Sequence, residues 1–181
     1  MIESDYLFKL QGYQARLIHE NDALQLQALA EKCADYCMLV DGHPARPAAA
    51  VELLSDLPVG KPIEDKVVLG IFSQENQMVG FLDAVRDYPS QGAWWIGLLL
   101  FEPDYRNKGL GRLTVRSFED WAYLRGANQI LLGVVEANEK AFKFWQSVGY
   151  QVIERQPPRK FDKLTHVVIK MAHDLSAVKS A

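Results

Sequence analysis

The sequence predicts a mixed α/β (α+β) fold whose sheet is mostly antiparallel and contains one parallel strand pair. Two observations carry this prediction. Consecutive β-rich runs are separated by short polar turns, which is typical of an antiparallel meander, and a later strand, helix and strand follow one another directly. Such a crossover places its two strands parallel in one sheet. We expect a sheet of about six or seven strands flanked by about four helices.

Composition favours a single soluble domain with a substantial core. The chain has 181 residues, of which 49% are hydrophobic, and we expect one domain over residues 1–175 with a frayed tail from Ser176 to Ala181. Lys and Arg total 20 against 23 Asp and Glu, a formal net charge of -3. A chain with this balance is poorly suited to neutralising many phosphates, so we expect no nucleic acid partner.

Targeting and metal signals are weak. Acids close to Met1 replace the basic and apolar regions of a signal peptide, so we expect a cytoplasmic protein. The longest apolar run, Trp94 to Phe101, is far shorter than the roughly 20 residues of a membrane helix, which predicts no membrane association. Cys33 and Cys37 are spaced for one helix face and are expected to be buried thiols. Two thiols without a nearby His pair do not complete a zinc site, so no metal is expected.

The first half of the chain reads as a strand and helices followed by a three-strand meander. A first strand is predicted at Tyr13 to His19, and Asn21 or Asp22 caps a helix running towards Tyr36. A short helix is predicted from Ala48 to Leu54. The meander comprises three runs: Val67 to Phe72, Met78 to Arg86 and Trp94 to Phe101.

The second half alternates helices and strands. Apolar residues recur at three- and four-residue steps from Gly109, which predicts an amphipathic helix ending near Arg125-Gly126. Asn138 caps a second helix that ends at Gly149. Strands are predicted at Gln129 to Val135, Tyr150 to Glu154 and Thr165 to Met171.

The turn before the first of these helices indicates an anion site. The backbone N–H groups at a helix start have no intrahelical partner, and glycines let a phosphate approach them. Arg106, Lys108 and Arg112 add positive charge, which favours a pyrophosphate. The turn lacks a Walker lysine and the full dinucleotide-binding glycine pattern, so neither of those phosphate loops fits. A helix start that uses glycines for packing alone is the alternative.

Two motifs in this region resemble those of one superfamily. Arg106-Asn107-Lys108-Gly109-Leu110-Gly111, preceded by Pro103, is similar to an Arg/Gln-x-x-Gly-x-Gly/Ala signature. Asn138-Glu139-Lys140-Ala141-Phe142-Lys143-Phe144-Trp145, followed by Gly149-Tyr150, resembles the helix that accompanies it. The pair of motifs, which spans about a third of the chain, resembles the GNAT superfamily of acetyl-CoA-dependent N-acyltransferases.

The resemblance implies a coenzyme A site. The pyrophosphate would bind the glycine turn, and the pantetheine arm would run between the two parallel strands where they separate. Gly97 and Gly133, one in each strand, are consistent with a bulge or a close approach of ligand, or with tight packing. The implied coenzyme A contacts are Leu99, Leu100, Phe101, Arg106, Asn107, Lys108, Gly109, Leu110, Gly111, Arg112, Asn138, Ala141, Phe144 and Trp145.

The implied reaction is attack of an amine on a thioester, for which the amine must first lose a proton. Glu102 and Asp83 are the candidate bases. The superfamily often has a Tyr where this chain has Trp145, and an indole N–H cannot act as an acid for the leaving thiolate. Either Tyr105 or Tyr150 replaces it, with Tyr150 as our candidate acid, or the thiolate leaves without help, because its pKa is about 8.5.

The acceptor is the least determined part of the hypothesis. We expect an amine of a small molecule or of a protein amino terminus. Its site is expected to include the first helical region, the Asp41 to Pro44 turn, the Pro58 to Pro62 loop and the stretch at Asp87 to Pro89. His43 is expected to be a solvated loop residue, and a residue that lines the pocket is the alternative. Alternatives are a non-catalytic acyl-CoA-binding regulator and a protein that recognises another nucleotide. A homodimer is possible, as is common in the superfamily.

Overall fold

A computed structural model describes residues 6–176 of the chain. Residues 177–181 of the predicted tail lie outside this range. The strands are β1 (Tyr6–Leu10), β2 (Tyr13–Leu17), β3 (Lys66–Phe72), β4 (Met78–Val85), β5 (Ala93–Phe101), β6 (Gln129–Val135), β7 (Gln151–Arg155), β8 (Arg159–Phe161), β9 (Leu164–His166) and β10 (Val168–Asp174). The α-helices are α1 (Ala23–Lys32), α2 (Ala34–Val40), α3 (Ala49–Ser55), α4 (Leu110–Tyr123) and α5 (Glu139–Ser147). None of these helices is both long and apolar enough to cross a membrane.

The main sheet is mixed, as the sequence predicts. Its strands lie in the order β1-β2-β3-β4-β5-β6-β10-β7, and β5 and β6 form the parallel pair among antiparallel neighbours. The sheet has eight strands rather than six or seven because β1 precedes the strand predicted at Tyr13. The predicted run from Thr165 to Met171 is divided between β9, which pairs with β8 in a separate hairpin, and β10, which lies between β6 and β7.

Helices cover both faces of the sheet. Alternate residues of the central strands point to opposite faces, so that Val68 and Phe81 pack with α1 and α3, whereas their neighbours Leu69 and Leu82 pack with α4 and α5. Both layers are apolar and continuous. The meander is therefore buried on both faces. A binding site can form only at the sheet edges or at the strand ends, which the helices do not cover.

The first predicted helix is divided in two at Cys33, which gives five α-helices within residues 6–176 where about four helices were expected. The backbone of Cys33 leaves the helical region between α1 and α2, and its Sγ donates to the backbone oxygen of Phe101 at 3.3 Å. Asp22 stands at the N-cap of α1, but its carboxylate pairs with Arg16 instead of capping the helix. Both cysteines are free: Cys33 is buried and Cys37 is partly buried.

The parallel pair separates partway along its length. The pairing of β5 with β6 ends at Ile96 and Leu132, although β5 continues to Phe101 and β6 to Val135. On its other side β5 stays paired with β4, but Gly97 is an extra residue there, because Ala84 pairs with Ile96 and Asp83 with Leu98. The bulge and the end of pairing coincide, and they open a cleft at the carboxyl ends of the two strands.

Candidate active site

A cleft of about 1110 Å³ occupies the space between the separated strands. Its walls are the carboxyl-terminal parts of β5 and β6, the turn that precedes α4, the first turns of α5 and the side of α2. The structure places most of the predicted coenzyme A contacts in one cleft. The members of that set that line it are Leu99, Leu100, Phe101, Arg106, Asn107, Gly109, Gly111, Arg112, Asn138, Ala141, Phe144 and Trp145, whereas Lys108 and Leu110 do not.

The turn before α4 presents an array of unpaired backbone donors. Within residues 6–176, the N–H groups from Asn107 to Arg112 have no hydrogen-bond acceptor. Gly109, the residue before the helix, has φ +80°, a left-handed conformation that costs other residues about 1–2 kcal/mol. Leu110 anchors the turn, since its side chain is buried against β1, β3 and β5. The array is therefore fixed in place and able to bind an anion.

The three basic residues of the turn have different environments. Both Nη atoms of Arg106 donate to the Asp35 carboxylate, and its Nε donates to the backbone oxygen of Phe101 at 2.7 Å. Arg112 donates to the backbone oxygen and the hydroxyl of Ser147 at the end of α5. Lys108 lies 5.6 Å from the ring centroid of Tyr105. Arg106 is thus neutralised by Asp35, and Lys108 and Arg112 supply the uncompensated positive charge.

The separated edge of β5 offers main-chain groups to the cleft. The N–H of Glu102 donates to Val79 on β4, so by strand alternation Leu100 also faces β4, while Leu99 and Phe101 direct their main-chain groups to the opposite edge. The Phe101 oxygen already accepts from Arg106 and Cys33. The N–H of Phe101 and both main-chain groups of Leu99 therefore remain available at the cleft.

Helix α5 supplies the opposite wall. The side chain of Asn138 accepts from the N–H of Ala141 at 3.1 Å, which makes it the N-cap of this helix. The rings of Phe144 and Trp145 contact one another with centroids 5.1 Å apart, and both line the cleft. A Cβ at Gly111 would lie 3.3 Å from Phe144, so the glycine allows α4 and α5 to approach closely at the turn.

Of the two predicted bases, Asp83 lies next to the cleft. It is 8% exposed, and its Oδ1 lies 2.8 Å from Lys66 Nζ. Burial raises the pKa of Asp83 to about 6, although the Lys66 ammonium opposes the shift. The carboxylate lies against Gly97, where a Cβ would approach Asp83 Oδ2 to 2.6 Å. Gly97 lines the cleft, so the carboxylate lies next to a residue of the cleft wall.

The other two predicted catalytic residues lie outside the cleft lining. Glu102 pairs with Lys32 at 3.0 Å, and Gln77 Nε2 lies 3.4 Å from its second oxygen, so the side chain closes the end of β5 onto α1. Tyr150 is 2% exposed and packs beneath Trp145. Burial, together with the nearby Glu119 carboxylate, raises the pKa of Tyr150 well above its usual value. This geometry supports neither residue in a catalytic role, because neither reaches the cleft.

A second cavity of about 750 Å³ adjoins the first on the face that carries α1, α2 and α3. Phe81, Leu98 and Leu100 contribute apolar side chains to its lining, and Asp41 and Asp56 contribute carboxylates. His43 lines it as well, and rather than being a simple solvated loop residue it contacts Asp162 at 2.7 Å. Because His43 and Asp162 are far apart in the sequence, this contact forms only when the chain folds.

Two segments expected at the acceptor site lie elsewhere. The Pro58 to Pro62 loop and the Asp87 to Pro89 stretch line neither cavity, and Lys61 Nζ donates to the backbone oxygen of Asp87 at 3.1 Å. They pack against each other because the loop precedes β3 and the stretch follows β4, and the start of β3 lies beside the end of β4 in the antiparallel pair. The first helical region and the turn at Asp41 do line the second cavity.

Sequence reasoning missed two aromatic residues that line both cavities, Tyr36 and Phe161. The sequence pattern predicts only that Tyr36 lies near the end of a helix. Phe161 belongs to the β8–β9 hairpin, which had no assignment; a two-residue turn, Asp162-Lys163, between short alternating runs is the signal that identifies it. Neither residue belongs to the two motifs, so the resemblance gave no reason to select them.

The family model for the Acetyltransferase (GNAT) family matches residues 39–150, more than half of the chain. The chain belongs to this family. No curated protein matches the sequence. The family match includes β5, the glycine turn, β6 and α5, which all contribute to the cleft walls.

Solved structures share the GNAT fold at low sequence identity. An acetyltransferase from Thermus thermophilus is 22% identical, with a TM-score of 0.76 and coverage of 92% of this chain and 99% of that one. A spermidine N-acetyltransferase from Vibrio cholerae, in complex with CoA and spermine, is 14% identical, with a TM-score of 0.73 and coverage of 91% and 96%. A ribosomal-protein-S5-alanine acetyltransferase from Vibrio fischeri is 17% identical, with a TM-score of 0.73 and coverage of 92% and 95%.

The close approach of Asp83 to Gly97 predicts the effect of adding a single methyl group. Gly97→Ala should lower the free energy of unfolding by about 1–3 kcal/mol, because the new Cβ displaces the buried carboxylate from Lys66. Urea denaturation measures this change. In an Asp83→Ala background the methyl group has room, so the same substitution should cost clearly less. An equal cost in both backgrounds would show that the contact is not the cause.

Proposed function

We propose that this GNAT protein transfers an acetyl group from acetyl-CoA to the primary amine of a small molecule or of a protein amino terminus, with both substrates bound at once. The observation that carries the proposal is the pair of adjoining cavities: one opens at the turn of unpaired N–H groups, and the other carries carboxylates at its rim. Two substrates can thus meet at the separated strands and react directly.

The cleft suits coenzyme A along its whole length. The N–H array from Asn107 to Arg112, with Lys108 and Arg112 beside it, suits a pyrophosphate, since hydrogen bonds to a charged group contribute about 1.5–3 kcal/mol each. The free main-chain groups of Leu99 and Phe101 suit the amides of a pantetheine arm, which would pair with β5 as an added strand does. Trp145 provides an apolar wall for that arm.

The second cavity suits a cationic acceptor. Asp41 and Asp56 have no ion-pair partner within residues 6–176, while Arg46 at the same rim is paired with Glu52 at 2.9 Å. An ammonium group is therefore favoured there over an anion. Two of the similar structures, a spermidine N-acetyltransferase and a ribosomal-protein-S5-alanine acetyltransferase, make polyamines and protein amino termini reasonable acceptors to test.

We assign Asp83 as the base of the proposed reaction. A carboxylate with a pKa of about 6 is ionised at neutral pH and is a better proton acceptor than an ordinary Asp. The amine would lose its proton to this carboxylate, through water at the Gly97 bulge, as its nitrogen attacks the thioester carbon. A backbone N–H at the bulge would stabilise the developing oxyanion. Collapse of the intermediate then breaks the C–S bond and releases the thiolate of coenzyme A.

An acceptor screen tests the proposed function. Acetyl-CoA is incubated with the protein and, separately, with spermidine, spermine, an aminoglycoside, amino-acid amides and a peptide that begins with alanine, and thiol release is measured. We expect turnover with at least one amine, and faster turnover for acceptors that carry a second positive charge. Coenzyme A binding by titration calorimetry without turnover on any amine would favour a non-catalytic acyl-CoA-binding regulator instead.

Substitution of Gly109 tests the pyrophosphate site. Gly109→Val should destabilise the fold by about 1–2 kcal/mol through backbone strain and should weaken coenzyme A binding at least tenfold, because the turn must move to relieve the strain. Gly126→Val is the matched control: Gly126 also has positive φ and open space for a Cβ, but it follows the far end of α4. Calorimetric titration that gives the same affinity for both variants and the unaltered chain would refute the assignment.

The proposed base predicts a pH dependence. Because the Asp83 carboxylate must be ionised to accept a proton, kcat/KM should rise with pH through about 6 and then level off, before a separate rise at higher pH from the amine itself. Asp83→Asn should lower kcat by about 100-fold or more and remove the limb near pH 6. Thermal melting checks that the variant is folded. A limb that persists in folded Asp83→Asn would assign the base to another group.

A further inference from the structure

Tyr36 lies across the gap between the separated strands. It belongs to α2, and its ring packs on one side with the cluster that contains Leu100 of β5 and on the other with the cluster that contains Val135 of β6 and Val168 of β10. No hydrogen bonds join β5 and β6 at this level, because their pairing ends at Ile96. The tyrosine therefore bridges the opening on the face that carries α1, α2 and α3.

Within residues 6–176, Tyr36 is also the one polar residue of the wall that the two cavities share. Five residues line both cavities, and the other four have apolar side chains: Val40, Leu98, Leu100 and Phe161. In the described part of the chain, Tyr36 is thus the single residue of the shared wall that has a polar side-chain group. A thioester held in the cleft and an amine held in the second cavity would meet at this wall.

The hydroxyl of Tyr36 is free to act on a substrate. No residue between 6 and 176 forms a hydrogen bond with it. Burial, with smaller contributions from Asp41 and Cys37, raises the pKa of Tyr36 to about 12. The phenol consequently stays protonated through the neutral range and is available as a hydrogen-bond donor.

We propose that the Tyr36 hydroxyl donates a hydrogen bond to the sulfur of the thioester as the C–S bond breaks. This inference rests on the proposed function. As the nitrogen–carbon bond forms, the proton of the amine goes to the base, and the electron pair of the C–S bond goes to sulfur, where negative charge develops. Trp145 cannot donate as an acid and Tyr150 is buried behind it. Tyr105, which lies edge-on to Tyr13, lines only the first cavity, so Tyr36 is the tyrosine of the shared wall.

The acidities decide between hydrogen-bond donation and full proton transfer. A coenzyme A thiol has a pKa of about 8.5, well below the value of about 12 for Tyr36. The proton therefore remains on the tyrosine, the thiolate leaves hydrogen-bonded, and it takes its proton from water after release. Tyr36 is in this sense a catalytic donor that needs no reprotonation between turnovers.

Removal of one oxygen tests the proposal. The single-turnover rate of thiol release is measured with the amine that the unaltered chain uses best. Tyr36→Phe should lower this rate by about 10- to 100-fold, the effect expected for one hydrogen bond to a charged group. Coenzyme A affinity and melting temperature should change little, because the lost hydroxyl has no partner in the protein. Tyr123→Phe, which removes an exposed phenol at the end of α4, is the matched control and should react at the normal rate.

A second variant separates donation from packing. 3-Fluorotyrosine at position 36 keeps the ring and strengthens the donor, so the rate should equal or exceed that of the unaltered chain. A normal rate for Tyr36→Phe would overturn the inference and leave the proposed function standing. A slow rate for Tyr36→Phe that is equally slow with 3-fluorotyrosine would also overturn it. Absence of turnover by the unaltered chain on every amine would overturn the proposed function, and this inference with it.

Discussion

The backbone hydrogen bonds between β5 and β6 end at Ile96 and Leu132, and the features of the candidate site follow from that termination. Both strands continue for several residues and remain paired on their outer sides with β4 and β10, so they separate without losing the sheet. The bulge at Gly97 turns β5 away at the same level. The result is a gap with main-chain donors and acceptors on its edge. Leaving these groups without a protein partner costs little free energy because water can bind them, and an extended ligand can fill the gap.

Tertiary interactions hold the gap open. Arg106 joins three distant elements, since it donates to Phe101 at the end of β5 and to Asp35 at the start of α2 while its own backbone begins the glycine turn. Arg112 joins the start of α4 to the end of α5 through Ser147. Both arginines therefore position the turn as well as contributing charge near it, which explains why the local N–H array is fixed before any anion arrives.

The chemistry that we propose divides between the two faces of the sheet. Coenzyme A contacts would come from the glycine turn, α5 and the edge of β5, whereas Asp83, Tyr36 and the second cavity lie on the face that carries α1 to α3. The two cavities adjoin at this gap. In the proposed reaction, the shared wall of apolar side chains would bring one phenol, that of Tyr36, to the thioester. Asp83 keeps its elevated pKa because burial outweighs its ion pair with Lys66.

The sequence by itself determined the mixed sheet, the parallel pair and the motif residues from Arg106 to Trp145, because periodicity, caps and glycine turns are local signals. It could not show that Arg106 is neutralised by Asp35, that Glu102 pairs with Lys32, or that Tyr150 is buried behind Trp145, since each depends on elements far apart in the chain. Tyr36 carries no motif and gains its position only when α2 packs across the separated strands. Local backbone preferences are encoded residue by residue, whereas a shared wall between two cavities exists only after the whole sheet and its helices have packed.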